Sequence, residues 1–227
     1  GVSYCIVVDG EPLHTPCAAE VACAPGDGWD YGCMGSICAW DGAQFYWYEW
    51  SEAECVTPLV VSFDGGPITF EPAGAAGFDV AATGECLSTD WPSAPWLALD
   101  RDGDGAISDG RELFGSGTRL AGGARASDGF VALAELDVDH DGAITPADPA
   151  FAELVVWSDI DGDRRGELRE LVPLAALEVV AIHLEAARIS ECDARGNCGG
   201  LRSTFEFRGQ TGAIERGAIV DVFLACH

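Results

Sequence analysis

The pattern of hydrophobic and polar positions predicts strands in the part of the chain that follows residue 56. Runs of β-branched and aromatic residues occupy 59–63 and 68–70, and the turn residues at 64–67 between them predict a hairpin. A further run at 78–80 is expected to continue the sheet, and 96–99 leads as a strand into an acidic segment. These segments together predict an antiparallel sheet.

Helical spacing is found in the middle of the chain. Ser127 or Asp128 is a suitable N-cap for a helix whose apolar face lies within 130–136. Short helices are also predicted at 111–114 and over most of 167–177.

The end of the chain is strand-like again, with suitable composition or alternation at 179–184, 203–207 and 218–224. The elements together predict an α+β fold. In this fold, short helices and EF-hand-like acidic loops pack on an antiparallel sheet, with a cystine-rich segment at the N-terminus.

The cysteines predict two domains. The chain has 10 Cys, none in a Cys-x-x-Cys pair, which favours structural disulfides over zinc or iron–sulfur ligation. Six of them lie in 1–56, which we interpret as a cystine-rich N-terminal module or an extension packed on the main domain, leaving 57–227 as a calcium-binding α+β domain. Cys192 and Cys198 bracket a turn and are expected to pair, and Cys86 and Cys226 would then pair by default.

The aromatic run at 44–50 lies within the cystine-rich module and predicts a strand. It either packs beneath the disulfides or presents an aromatic face to a glycan or a partner protein.

Three acidic loops of one design dominate the middle of the chain. Each has Asp at its first, third and fifth positions, and they begin at Asp100 (loop one), Asp137 (loop two) and Asp159 (loop three). Three carboxylates this close repel one another strongly unless a cation lies between them. Oxygen ligands at this spacing are typical of an EF-hand-type calcium loop, so we predict two to three bound Ca²⁺ ions.

The loop pattern assigns a ligand set to each predicted ion. The predicted ligands of loop one are Asp100, Asp102, Asp104, the Ala106 carbonyl, Ser108 or its water, and Glu112. Those of loop two are Asp137, Asp139, Asp141, the Ala143 carbonyl, Thr145 and Asp148. Those of loop three are Asp159, Asp161, Asp163, the Arg165 carbonyl, Glu167 and Glu170.

Each loop departs from the pattern at one position. In loop one the last carboxylate, Glu112, comes one residue late, and in loop two the shorter Asp148 replaces Glu. In loop three Arg164 stands where Gly commonly adopts a positive φ. Loop three is therefore the least regular of the three calcium sites.

The charge of the chain limits its partners. The net charge is −26 and every basic residue is Arg, which excludes a nucleic acid held by phosphate contacts and disfavours anionic membrane surfaces. No apolar run is long enough to span a bilayer. The opening residues lack a signal-peptide pattern, so we expect that any such peptide has been removed. Disulfides and weak calcium sites together predict a secreted or cell-surface protein.

Several segments resemble a known family. They are 97–105, 110–115 with its Arg-Glu-Leu-Phe-Gly motif, 129–137 and 155–159. Within about 58–184 the chain resembles the calcium-binding, self-processing module of RTX-type secreted bacterial proteins, related to segments of bacterial adhesins and surface proteins. The resemblance implies calcium-driven folding.

Active members of that family cleave an Asp–Pro bond at the start of the module, and a Lys amine can capture the resulting anhydride. The matching dipeptide here is Thr57-Pro58, which has no carboxylate, and the chain contains no Lys. We therefore expect a non-cleaving relative. Asp148-Pro149 is the one Asp–Pro bond in the sequence, and we expect it to stay intact.

The sequence thus predicts a secreted calcium-binding protein with a structural, adhesive or surface-binding role, in which Ca²⁺ acts as a folding staple. A subunit of an extracellular filament or surface assembly is the second hypothesis, and a self-processing module is the third. Besides calcium, the expected partners are another protein, a glycan or copies of the chain itself. We expect no catalytic activity, since no nucleophile, zinc-protease or phosphate-loop motif is present.

Overall fold

A computed structural model describes residues 7–8, 11–12, 28–30, 34–40, 45–51 and 56–226. The chain divides into two compact units, one of Gly1–Asp30 with Gly35–Trp50 and the other of Tyr31–Met34 with Ser51–His227. Many residues of the predicted cystine-rich module lie outside the described ones. The assignment of 1–56 and 57–227 to separate domains therefore stays a prediction.

The described residues near the N-terminus form short strands. Strands β1 (Val7–Val8) and β2 (Glu11–Pro12) pair antiparallel. Strands β3 (Gly28–Asp30), β4 (Met34–Trp40) and β5 (Phe45–Ser51) form a three-stranded sheet in that order. The strand predicted from the aromatic run is thus confirmed as β5. Most of the first six cysteines, and so the pairing among them, lie outside the described residues.

The larger unit is built on a nine-stranded antiparallel sheet that forms a half-barrel. Its strands are β6 (Leu59–Ser62), β9 (Trp96–Ala98), β10 (Ala143–Ile144), β11 (Val155–Trp157), β12 (Leu171–Pro173), β13 (Val179–His183), β14 (Ala187–Cys192), β15 (Cys198–Arg208) and β16 (Ile214–Phe223). They are ordered β10-β13-β15-β16-β6-β9-β11-β12, with β14 paired to β15. Two further strands, β7 (Phe70–Glu71) and β8 (Trp91–Pro92), pair with each other outside this sheet.

The sheet has a hydrophobic cluster on each face, because successive side chains of a strand point in opposite directions. In β9, Leu97 packs into the cluster that includes helix residues Phe130 and Leu133. Its neighbours Trp96 and Ala98 pack into the opposite cluster. Burial on both faces explains why these strands are continuously hydrophobic instead of alternating with polar residues.

The predicted α+β class is wrong, because the described residues are mostly antiparallel sheet with one short helix, α1 (Gly129–Ala134). Two 3₁₀ turns, Pro149–Glu153 and Leu174–Leu177, complete the helical content of these residues. The helix predicted over 167–177 is replaced by β12 and the second of these turns. Pairing of β12 with β11 overrides the helical spacing of that segment.

Three other local predictions are also wrong. The segment predicted as a short helix at 111–114 forms turns and bends, with isolated bridges from Leu113 to Ala98 and from the following Gly115 to Pro58. The predicted hairpin does not form, because β6 pairs with β16 and β9 while β7 pairs with β8. Residues 78–80 do not extend the sheet, because Phe78 and Asp79 have no regular structure and Val80 begins a turn.

The other elements are confirmed. Helix α1 begins after Asp128, whose Oδ1 accepts a hydrogen bond from the Val131 amide at 2.9 Å. The three C-terminal strands form, and disulfides join Cys192 to Cys198 and Cys86 to Cys226. Among the described residues, no helix has the length and apolar character needed to cross a membrane.

Candidate metal centres

The three acidic loops share one backbone conformation. In each loop the fourth and sixth residues have a positive φ, which places the chain in a tight turn around the first Asp. These residues are Gly103 and Gly105 in loop one, His140 and Gly142 in loop two, and Gly162 and Arg164 in loop three. The cost anticipated at Arg164 is therefore real, since its φ is +58°.

The first carboxylate of each loop organises the turn by accepting backbone hydrogen bonds. In loop one the Asp100 oxygens accept from the amides of Gly103 at 2.8 Å and Gly105 at 2.9 Å. In loop two the Asp137 oxygens accept from the Asp141 and Gly142 amides at 3.2 and 3.0 Å. Hydrogen bonds of this kind hold the carboxylate in place and leave its remaining lone pairs directed into the loop.

Loop three is organised in the same way. Asp159 Oδ1 accepts from the amides of Gly162 at 3.0 Å and Arg164 at 3.3 Å. In all three loops the Asp at the fifth position also accepts a hydrogen bond from the amide of the residue two positions later, at 2.8–2.9 Å. The residues that donate are Ala106, Ala143 and Arg165, which are the predicted carbonyl ligands.

The structure brings most of the predicted carboxylates together. In each of three groups, one oxygen from every carboxylate lies within 4.8 Å of the others. The groups are Asp100, Asp102, Asp104 and Glu112; Asp137, Asp139 and Asp141; and Asp159, Asp161, Asp163 and Glu170. Asp148 does not join the loop-two group, which agrees with its shorter side chain.

The last carboxylate of each loop is buried. Asp148 Oδ1 and Oδ2 accept from the amides of Val138 and Thr145, both at 2.9 Å. Glu170 accepts from the amides at the same two loop positions, Ile160 at 3.0 Å and Glu167 at 3.4 Å. Loops two and three thus fasten their last carboxylate by the same pair of backbone donors.

Loop one differs at this point. Glu112 is only 4% exposed, and its Oε2 accepts from the Ser108 amide at 2.7 Å and from the Ser108 hydroxyl at 3.2 Å. Its Oε1 is buried without a hydrogen-bond partner, and burial raises the pKa of this carboxyl. A buried oxygen without a donor is costly unless something positive lies beside it. A hard cation between Glu112 and the three Asp would supply that partner, so these residues fit a calcium ion.

The side chains of the remaining predicted ligands make contacts with other protein groups. The Ser108 hydroxyl donates a hydrogen bond to Glu112 Oε2, and the Thr145 hydroxyl accepts one from the Ala147 amide at 3.1 Å. Glu167 is half exposed, with one oxygen 3.7 Å from the Arg169 guanidinium. Arg169 also forms an ion pair with Asp161. Two predicted ligands of loop three therefore contact a protein cation.

Sequence reasoning missed the role of Arg164. Its side chain is buried, its Nη1 donates to the Thr89 carbonyl at 2.9 Å, and its guanidinium lies 4.5 Å from the Trp91 ring centroid. The residue is therefore an anchor of loop three to the protein interior. The sequence carries no local signal for it, because both contacts are more than seventy residues distant.

Sequence reasoning also missed how the loops are connected. Loops one and three form an antiparallel bridge at their eighth residues, Ile107 and Gly166. The eighth residue of loop two, Ile144, instead belongs to β10 and pairs with Ile182 in β13. Two loops are therefore joined to each other, and the third is joined to the main sheet.

These features define a class of protein: a β-rich fold that holds three acidic loops suited to a hard divalent cation. Residues 59–225 match the family model of the SPM domain, so the chain belongs to the SPM domain family. The chain is also similar to the iron-regulated protein FrpA of Neisseria meningitidis serogroup C, with 39% identity over 145 residues. That match covers 62% of this chain but only 13% of FrpA, so the chain spans a small part of this relative.

Proposed function

We propose that this chain is a secreted calcium-binding protein with a structural, adhesive or surface-binding role. Bound Ca²⁺ acts as a folding staple at two to three of the acidic loops. The proposal rests on one observation above the others: Glu112 Oε1 is buried without a partner beside three further carboxylates. The resemblance to RTX-type secreted bacterial proteins supports calcium as the ion and secretion as the destination.

Calcium at these loops would add substantially to stability. Extracellular calcium loops bind with a Kd of roughly 10⁻⁴–10⁻³ M. At about 2 mM Ca²⁺ and a Kd of about 10⁻⁴ M, each filled site stabilises the folded chain by about 1.8 kcal/mol. Three such sites approach the whole stability of many domains, about 5–15 kcal/mol. Ion binding at this level is sufficient to decide whether the chain is folded.

Calorimetric titration of the chelator-treated protein with CaCl₂, together with melting curves, tests the proposal. We expect heat of binding and a rise in Tm with Ca²⁺. Glu112→Gln removes the carboxylate charge at nearly constant shape and should abolish one binding event. Glu185→Gln, an exposed carboxylate outside the loops, is the matched control and should titrate like the parent protein. No binding heat and no change in Tm in the parent protein would contradict the proposal.

A subunit of an extracellular filament or surface assembly is the second candidate. It is favoured by two large apolar side chains on loop three, Ile160 at 75% and Leu168 at 83% exposed. Sedimentation over a range of concentrations, with CaCl₂ and with a chelator, tests this role. Concentration-dependent association that Ile160→Ser weakens would support assembly, and a monomer under all conditions would exclude it.

The proposal includes no catalytic activity, and in particular no self-processing. Thr57 is buried and has no carboxylate to attack its own carbonyl carbon. The other candidate, Asp148, has both carboxylate oxygens occupied by backbone amides and is 1% exposed. Mass spectrometry after incubation with CaCl₂ should find the intact chain. Fragments that end at Asp148 would refute this expectation.

A further inference from the structure

The segment 79–90 repeats the backbone conformation of the acidic loops, and we call it loop four. Its fourth and sixth residues, Ala82 and Gly84, have φ of +52° and +79°, as the same positions do in the three acidic loops. Its first residue, Asp79, accepts hydrogen bonds from the amides of Thr83 at 3.2 Å and Gly84 at 2.6 Å. The first Asp of loop two accepts from the fifth and sixth amides in the same way.

Loop four differs from the acidic loops at the positions of the predicted ligands. Its third residue is Ala81, which is 8% exposed and packs in the hydrophobic cluster that includes Trp96. Its fifth residue is Thr83, whose hydroxyl accepts from the Glu85 amide at 3.2 Å, as the fifth Asp does from the seventh amide in the other loops. Thr83 therefore keeps the turn of an acidic loop but provides no negative charge for a cation.

A protein cation contacts loop four instead. The Arg125 guanidinium donates hydrogen bonds to the carbonyl oxygens of Ala81 and Ala82, the third and fourth loop residues. It also donates to the Ser116 carbonyl at 3.0 Å. Hydrogen bonds from a charged donor are stronger than those between neutral groups. Arg125 thus ties the turn of loop four to the segment that follows loop one.

The second half of loop four is held by two further contacts. The eighth residue, Cys86, forms a disulfide with Cys226. The twelfth residue, Asp90, is buried like the last carboxylate of each acidic loop, but it accepts from Arg195 Nε and from Asn197 Nδ2, the latter at 2.7 Å. A covalent bond and paired side chains therefore fix the positions that complete an acidic loop.

Loop four contacts two of the predicted calcium sites. The Asp79 carbonyl accepts from the Gly110 amide in loop one at 2.8 Å, and a Cβ placed on Gly110 would lie 1.7 Å from the Val80 oxygen. Phe78, directly before loop four, has its ring centroid 5.3 Å from that of Trp157, which leads into loop three. Loop four therefore packs against the last part of loop one and the start of loop three.

We propose that loop four is an ion-free member of the loop set and a permanent support for loops one and three. Arg125, the Cys86–Cys226 disulfide and Asp90 together hold it. A guanidinium keeps its charge at any ordinary pH and calcium concentration, so the support persists when the acidic loops lose their ions. The inference rests on the proposed calcium function of those loops.

The amides of Gly84 and Gly142 form a matched pair of reporters, because each is the sixth residue of its loop and donates to the first Asp. The ¹⁵N-labelled full chain is titrated with CaCl₂ over the concentrations at which the β15 and β16 amides stay protected from exchange. We expect the Gly142 signal to shift with Ca²⁺ and the Gly84 signal to keep its position.

Two variants at the first loop position count the ions. Asp137→Asn in loop two should bind one ion fewer than the parent protein in calorimetric titration. Asp79→Asn in loop four should bind the parent number.

A second pair of variants tests the guanidinium. In saturating CaCl₂, Arg125→Gln should speed hydrogen exchange of the Gly84 amide by about tenfold, as expected for losing hydrogen bonds from a charged donor. The Gly142 amide should be unaffected. Arg119→Gln is the control, because Arg119 donates to the Gly123 carbonyl, outside loop four.

The outcomes separate this inference from the function on which it rests. A Gly84 signal that shifts along the Gly142 curve, one ion lost in Asp79→Asn, or unchanged exchange at Gly84 in Arg125→Gln would each overturn it. Should a loop-four variant fail to fold, the parent titration decides, and a stationary Gly84 signal supports the inference. If neither amide responds and no heat is released, the calcium function fails, whereas Arg125→Gln still tests the support.

Discussion

Loop two and the pair formed by loops one and three carry the same arrangement of carboxylates. They are connected to the rest of the fold in different ways. All three loops have Asp at the first, third and fifth positions and positive φ at the fourth and sixth. Loop two is entered by α1 and continues into β10 of the nine-stranded sheet. Loops one and three are entered by β9 and β11, which pair with each other in the same sheet, and their eighth residues, Ile107 and Gly166, form a bridge. A shared sequence pattern therefore places similar carboxylate groups in three loops, while the surrounding fold determines how each loop is held.

The last carboxylates divide the three loops differently. Asp148 and Glu170 each accept two backbone amides, so loops two and three hold these carboxylates without an ion. Glu112 in loop one has an oxygen with no donor. Loop one therefore has the most to gain from a cation.

The largest predicted effect comes from removing calcium altogether. Loss of about 1.8 kcal/mol at each of three sites should lower Tm by about 10–20 °C for a chain of this size. Hydrogen exchange should show the amides of Ile107 and Gly166 losing protection before those of β15 and β16. A melting curve that chelation leaves unchanged, or uniform loss of protection, would remove the basis for contrasting the two regions.

Replacement of Arg164 tests how loop three is anchored. Arg164→Gly relieves a positive φ, worth about 1 kcal/mol, but removes a charged hydrogen bond to the Thr89 carbonyl and the stacking on Trp91. We expect a net loss of about 2 kcal/mol in the free energy of unfolding, measured by denaturant titration in CaCl₂. His140→Gly, at a positive φ in loop two, is the control and should stay within about 1 kcal/mol of the parent. A stabilised Arg164→Gly would show that the anchor is unimportant.

Replacement of Asp221 tests how helix α1, which leads into loop two, is held against the sheet. This fully buried residue of β16 accepts a hydrogen bond from the Gly129 amide of α1 at 3.1 Å, and burial raises its pKa well above the ordinary 3.8. Between those two pKa values the folded carboxyl holds a proton that the unfolded chain has released. Its contribution to stability therefore falls as pH rises above about 4.

Asp221→Asn should remove this contribution. In saturating CaCl₂, the decline in unfolding free energy with rising pH should become shallower by up to about 1.4 kcal/mol per pH unit within that window. Glu185→Gln is again the control and should keep the parent slope. An unchanged slope in Asp221→Asn would mean that the buried carboxyl does not contribute to the pH dependence of the unfolding free energy.

The smallest predicted effect concerns the cations beside loops one and three. Arg169 pairs with Asp161, a predicted ligand, whereas Arg111 pairs with Asp109, which is not one. Arg169→Gln should raise the calcium affinity of loop three by about two- to fivefold, since exposed ion pairs are worth about 0.2–1 kcal/mol. Arg111→Gln should leave the affinity of loop one within about twofold. Equal effects of both variants in calorimetric titration would indicate a general charge effect instead.

Much of the fold could be predicted from the local pattern of hydrophobic and polar residues. The strands at β6, β9 and the three C-terminal segments follow from β-branched and aromatic runs, and α1 from Asp128 and the apolar spacing after it. The helices expected at 111–114 and 167–177 do not form, because Leu113 bridges to Ala98 and Leu171 pairs with Trp157. Such pairings involve distant residues, so they override local helical preference without leaving a sign in the segment itself.

The sequence by itself determined where the carboxylates cluster, because the spacing of carboxylates and turn residues within each loop is a local property of the chain. It also predicted two disulfides that the structure confirms, Cys192–Cys198 from the turn between them and Cys86–Cys226 as the pair left over by default. Only the tertiary structure decided which loops touch, why Arg164 is tolerated at a positive φ, and where a carboxylate oxygen lacks a donor. Those features depend on contacts between residues far apart in the chain, which hydrophobic pattern and spacing do not encode.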